Sequence, residues 1–372
     1  MYLKDLVDIQ MGQSPESKFY NYDKIGLPFY QGKADFGKIN PTPKMWCSKS
    51  KKEAKPNDIL ISVRAPVGDL NINNEQSCIG RGLAAITCKS DVDMMYLYYH
   101  LKYLKPQLRH ISTGSTFESI NRSQLENLII KYKSYTEQIK ISNTLQVVQR
   151  QIDVKESLLG LYDLLIKSRF VDMFGDPVLN EKGWNLTSLE SVCQFIYGGG
   201  TPSKKIKEYY MGTIPWVTSK DMKSDIIVDS IEHITQEAID NSSTKIIPPE
   251  SVLIVIRSGI LKHTLPVCIN KSKVTINQDL KALVLDERCK GIYLQYLLKA
   301  LEKDILSGVR AVTADNIEFN SLKKREIPIP PIDIQIKFSQ MVNQINKLKS
   351  DVQKSIDETQ LLMDSLMQEY FG

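Results

Sequence analysis

Long hydrophobic runs are missing from this 372-residue chain. The longest purely aliphatic stretch is Val252–Ile256, against the roughly 20 apolar residues that a membrane-spanning helix needs. No membrane association is therefore expected. Nor does the start read as a signal peptide, since Met1-Tyr2-Leu3-Lys4-Asp5 places an acid at position 5 with no apolar segment behind it. Cysteine is sparse. Cys47, Cys78, Cys88, Cys193, Cys268 and Cys289 form no C-x-x-C pair, which argues against a zinc ribbon or a disulfide framework and for a reducing, cytoplasmic setting. The four histidines, His100, His110, His233 and His263, are scattered, so no metal site is expected. A large excess of one sign of charge is missing as well. The chain has 48 basic and 43 acidic residues, a balance that permits a nucleic-acid partner without demanding one.

Catalytic signatures are also missing. Between Gly26 and Gly32-Lys33 stand five residues, and Ala34 follows, so this is not a phosphate-cradling P-loop. Gly80-Arg81-Gly82-Leu83-Ala84-Ala85 has the spacing of a dinucleotide turn but no acid about twenty residues on. It reads as a structural turn. There is no G-x-S-x-G and no H-E-x-x-H. No catalytic residue is expected.

What the chain does contain is a repeat. At an offset of 197, Ile79 matches Ile276, Tyr96-Leu97 matches Tyr293-Leu294, Gln138-Ile139 matches Gln335-Ile336 and Phe174-Gly175 matches Phe371-Gly372. Nearer the start the offset falls in steps, as loop insertions would cause. Ile61-Ser62-Val63-Arg64 faces Ile254-Val255-Ile256-Arg257 at 193, and Gly12-Gln13-Ser14-Pro15 faces Gly199-Gly200-Thr201-Pro202 at 187. Two copies of one unit are expected, each a globular part followed by a long helix.

The helices carry an a/d seam. In the first it runs through Leu145, Val148, Ile152, Leu159, Tyr162, Ile166 and Met173, interrupted by Lys155 and Arg169. In the second it runs through Val342, Ile345, Val352, Ile356, Met363, Leu366 and Tyr370, interrupted by Lys349 and Thr359. Residues 139–174 would extend roughly 54 Å at ~1.5 Å per residue. So narrow a seam needs a partner helix, and the other copy is the obvious one. Antiparallel pairing would relate the globular parts by a pseudo-twofold axis. These parts read as α/β (α+β). Asp58–Val63 and Val252–Ile256 are strands, Met94–Leu104 and Ile292–Leu301 short helices, and 32–55 and 198–207 loops.

The repeat preserves glycines, prolines, hydroxyls and strands rather than acid–base pairs, which favours a duplicated binding module over an enzyme. The helices hold nine basic and nine acidic residues, residues 1–138 hold 19 and 14, and residues 175–335 hold 20 and 20. Any contact with DNA must therefore come from placed side chains. Gln13, Ser14, Thr201, Ser203 and Lys204 lie in or beside the tight Gly-x-Ser/Thr-Pro loops. Lys33 and Lys220 share the 187 offset. Arg64 and Arg257 each follow a strand directly, from which a guanidinium could reach guanine or make a structural salt bridge. Ser115 and Thr116 lie in one later loop, and Arg310 and Thr313 in its counterpart.

Taken in order, and twice, these motifs resemble the specificity subunits of type I restriction–modification systems. The further carriers are Ile214-Pro215-Trp216-Val217, Thr113-Gly114-Ser115-Thr116, Ile327-Pro328-Ile329-Pro330-Pro331 and the Phe-Gly that closes each helix. The resemblance implies target-recognition domains at 1–138 and 176–335, joined by helical regions at 139–175 and 336–372. Each domain would read one half of a gapped site in double-stranded DNA. The helices would set the gap and dock methyltransferase and restriction subunits, and S-adenosylmethionine, ATP and magnesium would belong to those partners. One departure is that Lys131-Tyr132-Lys133-Ser134 stands where the second copy has Pro328-Ile329-Pro330-Pro331. Three other readings stay open: a related two-component nuclease–methyltransferase, a coiled-coil scaffold that binds no DNA, and an autonomous enzyme.

Overall fold

The computed structural model describes all residues except 113–117, 308–309 and 312–314, with backbone alone at 310, 311 and 315. The chain divides into two compact units. One comprises Met1–Ser157 with Gln353–Gly372, and the other is Leu158–Val352. Each unit therefore takes an α/β part and one stretch of each long helix.

In the first unit an antiparallel sheet orders its strands Val7–Met11, Leu83–Cys88, Ile59–Ser62 and Leu70–Ile72. A second sheet orders Tyr20–Asn21, Trp46–Cys47, Leu27–Tyr30, Ser77–Ile79 and Glu53–Ala54, with Leu27–Tyr30 and Ser77–Ile79 parallel. The central strand Ile59–Ser62 is buried throughout because both its faces are covered. Ile59 and Ile61 pack in the cluster that holds Leu97, Leu101 and Leu108 of the short helices. Leu60, pointing the other way, packs with Tyr30 and Ile79 of the second sheet. Two short strands, Trp46–Cys47 and Glu53–Ala54, arise inside the stretch 32–55 that reads as loop. They are only two residues long and carry no period-2 pattern, so pairing partners rather than local sequence decide them.

The second unit repeats the plan. Its five-stranded sheet orders Cys193–Gly198, Leu280–Leu285, Val252–Val255, Val267–Asn270 and Ile226–Ile227. Val252–Val255 is wholly buried, and helix Gly291–Ala300 packs its Tyr293, Leu294, Leu297 and Leu298 into the same core. A three-stranded sheet orders Glu232–Ile234, Ile214–Val217 and Thr275–Ile276.

The long helices span Tyr135–Phe174 and Ile332–Phe371, each starting four residues before the repeat match suggested. Ser134 and Glu137 explain the first start. Glu137 Oε2 accepts from the Ser134 N–H at 3.1 Å while the Glu137 N–H reaches Ser134 Oγ at 3.4 Å, a reciprocal capping box. Pro331 sets the second start by ending the extended segment before Ile332.

A buried glutamine ties each helix to its α/β part. Gln138 Nε2 donates to Asp91 O at 3.2 Å and Lys133 O at 2.9 Å, and Oε1 accepts from the Asp93 N–H at 2.9 Å. Gln335 does the same at the 197 offset, donating to Arg288 O at 3.0 Å and Pro330 O at 2.8 Å and accepting from the Lys290 N–H at 2.8 Å. Tyr96 Oη donates to Lys131 O at 2.5 Å, and Tyr293 Oη to Pro328 O at 2.6 Å. The segment around Lys131 thus supplies the carbonyls that the Pro-rich segment supplies in the second copy. The difference in side chains leaves the backbone role intact.

Within each unit the seam faces inward. In the first, Leu145, Val148, Ile152, Ile356 and Met363 are buried and Leu366 is half-buried, and Met367 and Phe371 join them. In the second, Ile166, Val342 and Ile345 are buried, with Leu159 and Val352 half-buried. Pairing in the second unit is antiparallel. Lys349 reaches Asp163 at 2.5 Å, while Phe338 meets Phe170 and Phe174 with ring centroids 5.6 and 5.3 Å apart. Two of the polar interruptions, both in the first unit, meet each other there. Lys155 Nζ donates to Thr359 Oγ1 at 2.6 Å and to Ser355 O at 3.1 Å. The Phe-Gly endings are anchors. Phe174 sits 4.8 Å from the Tyr293 ring, and Phe371 sits 5.3 Å from Tyr96 and stacks on His100 at 4.6 Å.

No described helix is long and apolar enough to cross a membrane.

Candidate nucleic-acid interface

Several of the residues singled out by the repeat lie where strands begin and end in each unit. In the first, backbone hydrogen bonds lace four chain segments together. The Gly12 N–H donates to Leu83 O at 2.9 Å, Gln13 to Ile79 O at 3.0 Å, Gly80 to Tyr30 O at 2.8 Å and Val63 to Gly82 O at 2.9 Å. The second unit reproduces this lacing. The Gly200 N–H donates to Ile276 O at 3.0 Å, Asn277 to Val217 O at 3.0 Å and Ile256 to Asp279 O at 2.8 Å. These bonds join equivalent residues under the stepped offsets, although few side chains are shared.

Glycine is required where the first loop crosses the turn. A Cβ on Gly12 would lie 2.1 Å from Gly80 O, and one on Gly199 would lie 1.8 Å from Asn277 O. The prolines that follow are held from behind. Tyr20 Oη donates to Pro15 O and Tyr210 Oη to Pro202 O, both at 2.8 Å. The tyrosines rest on aromatic partners, Tyr20 on Phe29 at 4.8 Å and Tyr210 edge-on to Trp216 at 5.7 Å. The result is a rigid cradle of the kind that can aim a side chain.

The loop hydroxyls serve the cradle itself. Ser14 Oγ accepts from the Arg81 N–H at 3.3 Å, and Thr201 Oγ1 bonds to Gln278 Oε1. Arg81 and Gln278 are equivalent positions, so each hydroxyl pins the same turn. Lys33 is paired with Asp69 at 2.9 Å, and Lys105 binds the same carboxylate. Burial works to raise the Asp69 carboxyl, but Lys105 and Lys33 together hold it below the ordinary carboxylate range. Arg257 is paired with Asp279, whose Oδ1 lies 2.7 Å from Nε and 2.6 Å from Nη2.

Other candidates are exposed and make no side-chain bond among the described residues. These are Gln13 and Arg64 in the first unit and Ser203, Lys204 and Lys220 in the second. Ser115, Thr116 and Thr313 lie outside the described residues. Arg310 falls in strand Arg310–Ala311, with backbone alone described. The sequence reading passed over Arg81 and Gln278, both exposed on the cradle. The 197 offset aligns them, but a Gly-x-Gly spacing that reads as a structural turn draws attention to the backbone and not to Arg81.

All six thiols are free, and burial pushes Cys78, Cys88, Cys193, Cys268 and Cys289 up to about 12. Among the described residues no group of histidines, cysteines and carboxylates is placed to hold a metal ion.

The chain is thus a tandem of two α/β units, each with a laced strand-end cradle and each containing stretches of both long helices. The type I restriction modification DNA specificity domain matches residues 1–159 and again 181–359, and the chain belongs to that family. It is 44% identical over 148 residues to the proposed MjaX type I restriction enzyme specificity subunit of Methanocaldococcus jannaschii, covering 40% of this chain and 35% of that protein. The chain thus spans about a third of the length of that relative. The MjaIX specificity subunit of the same organism is 26% identical over 98% of this chain and 90% of its own. The S subunit of a type I restriction–modification system from M. genitalium shares the fold at a TM-score of 0.60 and 15% identity, covering all of this chain and 95% of that one.

Proposed function

We propose that this chain is the sequence-reading subunit of a type I restriction–modification complex, and that its two units read the two halves of one gapped site in double-stranded DNA. The observation that carries this reading is the duplicated cradle. The same backbone bonds recur in both units, while the displayed side chains differ. Equal scaffolds with unequal side chains suit a protein that must read two different short sequences. Phosphate contacts would come from exposed lysines such as Lys204 and Lys220, and base readout from side chains on the turns.

On this reading the chain is not itself catalytic. The paired helices dock methyltransferase and restriction subunits, and S-adenosylmethionine, ATP and magnesium are used in those partners. The repeated residues are ones that shape backbone, which supports a recognition role over a duplicated reaction centre. The test is methylome sequencing of a host with and without the gene. Loss of one gapped adenine motif is the expected result, and an unchanged methylome refutes the proposal.

A further inference from the structure

The two cradles differ at a pair of positions whose consequences the repeat makes readable. In the second unit Asp279 neutralises Arg257 through both Nε and Nη2, and Asn277 Nδ2 holds the other carboxylate oxygen at 3.0 Å. The residue equivalent to Asp279 in the first unit is Gly82. No carboxylate can stand there without rearrangement, because a Cβ on Gly82 would lie 2.3 Å from Gln31 O. Arg64, the equivalent of Arg257, is exposed and has no side-chain partner among the described residues.

A second arginine stands beside it. The Val63–Gly82 backbone bond of 2.9 Å couples the turn bearing Arg64 to the turn bearing Arg81. Arg81 is also exposed, and its guanidinium makes no bond among the described residues, while its own N–H is fixed to Ser14 Oγ at 3.3 Å. Its counterpart is Gln278, already engaged with Thr201. The first cradle therefore displays two unpaired guanidiniums from backbones that are held rigidly. The second displays none at these positions, because one arginine is spent on an ion pair and the other is replaced by glutamine.

We infer that Arg64 and Arg81 are the guanine-reading residues of the first unit, and that Arg257 is a structural clamp which reads no base. A guanidinium presents two parallel donors that match O6 and N7 of guanine in the major groove. A free guanidinium can make that contact, whereas one already bonded by Nε and Nη2 to a carboxylate must first lose that pair. The half-site read by the first unit accordingly contains guanine at the positions these side chains reach. The inference rests on the proposed DNA-reading role.

The test uses the full chain co-expressed with its methyltransferase subunits. Methylome sequencing gives the wild-type motif, and binding of the purified assembly to duplexes with single base changes gives discrimination at each position. Arg64→Ala and Arg81→Ala should each relax a guanine in the same half of the motif by roughly 10–100-fold, leaving the other half read as before. Arg81→Lys and Arg64→Lys keep the charge but lose the fork. Base reading predicts that discrimination falls in these variants too, and full retention would instead mean phosphate contact and overturn the inference. Retained reading of the other half controls for misfolding. Arg257→Ala should selectively relax no guanine in the half read by the second unit, and selective relaxation of a guanine there would overturn its role as a clamp. A wild-type assembly with no gapped motif would sink the DNA-reading proposal itself. A clear motif that Arg64 and Arg81 variants leave unaltered would sink this inference alone.

Discussion

Replacing Gln335 with alanine should destabilise the second unit by about 3–5 kcal/mol. The side chain is fully buried, and all three of its hydrogen bonds go to backbone groups at the junction of α/β part and helix. Its removal strands two carbonyls and one N–H at a junction that is buried at Pro330 and partly buried at Arg288 and Lys290. Each orphaned group costs about 1–3 kcal/mol, and the truncated methylenes leave a small cavity. A unit of this size loses about 2–4 °C of Tm per kcal/mol, so the melting transition assigned to this unit should fall by roughly 10 °C. Differential scanning calorimetry, with hydrogen exchange at the Lys290 amide, measures both. Gln335→Glu sharpens the case. A carboxylate keeps the acceptor for Lys290 but turns its second oxygen toward the carbonyls of Arg288 and Pro330. The variant should be as damaging as alanine at neutral pH and partly rescued in acid, when the protonated group again donates. Gln138→Ala should do equivalent harm to the first unit. A change below 1 kcal/mol in Gln335→Ala, or Gln335→Glu behaving as wild type at pH 8, would refute the reasoning.

Two more expectations follow from the same packing. His100 is 1% exposed with Nδ1 unpartnered among the described residues, and burial, with help from Lys131 and the N-terminal amine, pushes it down from 6.5 to about 4. The unfolded chain takes up a proton below about pH 6.5 while the folded chain does not. Stability is therefore present in full above pH 6.5 and is lost as pH falls toward 4, by about 3 kcal/mol in total. His100→Phe should flatten the Tm–pH curve between pH 7 and 5, and an unchanged slope would contradict this. Lys155→Met should change stability by less than about 1 kcal/mol, because Thr359 Oγ1 also donates to Ser355 O at 2.6 Å and no buried group is orphaned. Chemical denaturation showing a loss above 2 kcal/mol would show the ammonium to be indispensable.

Much of this architecture is legible in the sequence because duplication acts as an internal control. The stepped offsets align Gln13 with Gly200 and Val63 with Ile256, and the structure gives each aligned pair equivalent backbone partners. The seam was readable from its 3–4 spacing, including Leu145, Ile152, Val342 and Ile356. Phe371 lies off the regular seam because the end of the second helix packs against aromatic rings of the first unit's α/β part. What alignment could not supply was the state of each side chain. Arg64 and Arg257 are the same residue after the same strand. Only contact with Asp279, 22 residues on, separates a free donor from a spent one. Lys33 is likewise tied by Asp69, which nothing in its local sequence announces. Pairing across distant turns is a tertiary property, and charged side chains are where local pattern says least about it.

The partition of the chain has a consequence for synthesis. Residues 158–352 form a unit of consecutive sequence, whereas the first unit needs Gln353–Gly372. The ribosome therefore completes everything the second unit requires before it has made the last twenty residues that the first unit needs. Phe371 must then find Tyr96 and His100, made some 270 residues earlier. Closing so long a loop is slow. Until it closes, the nascent first unit exposes the apolar faces of its helix and of the aromatic pocket, which makes it the part of the molecule that a chaperone would hold longest.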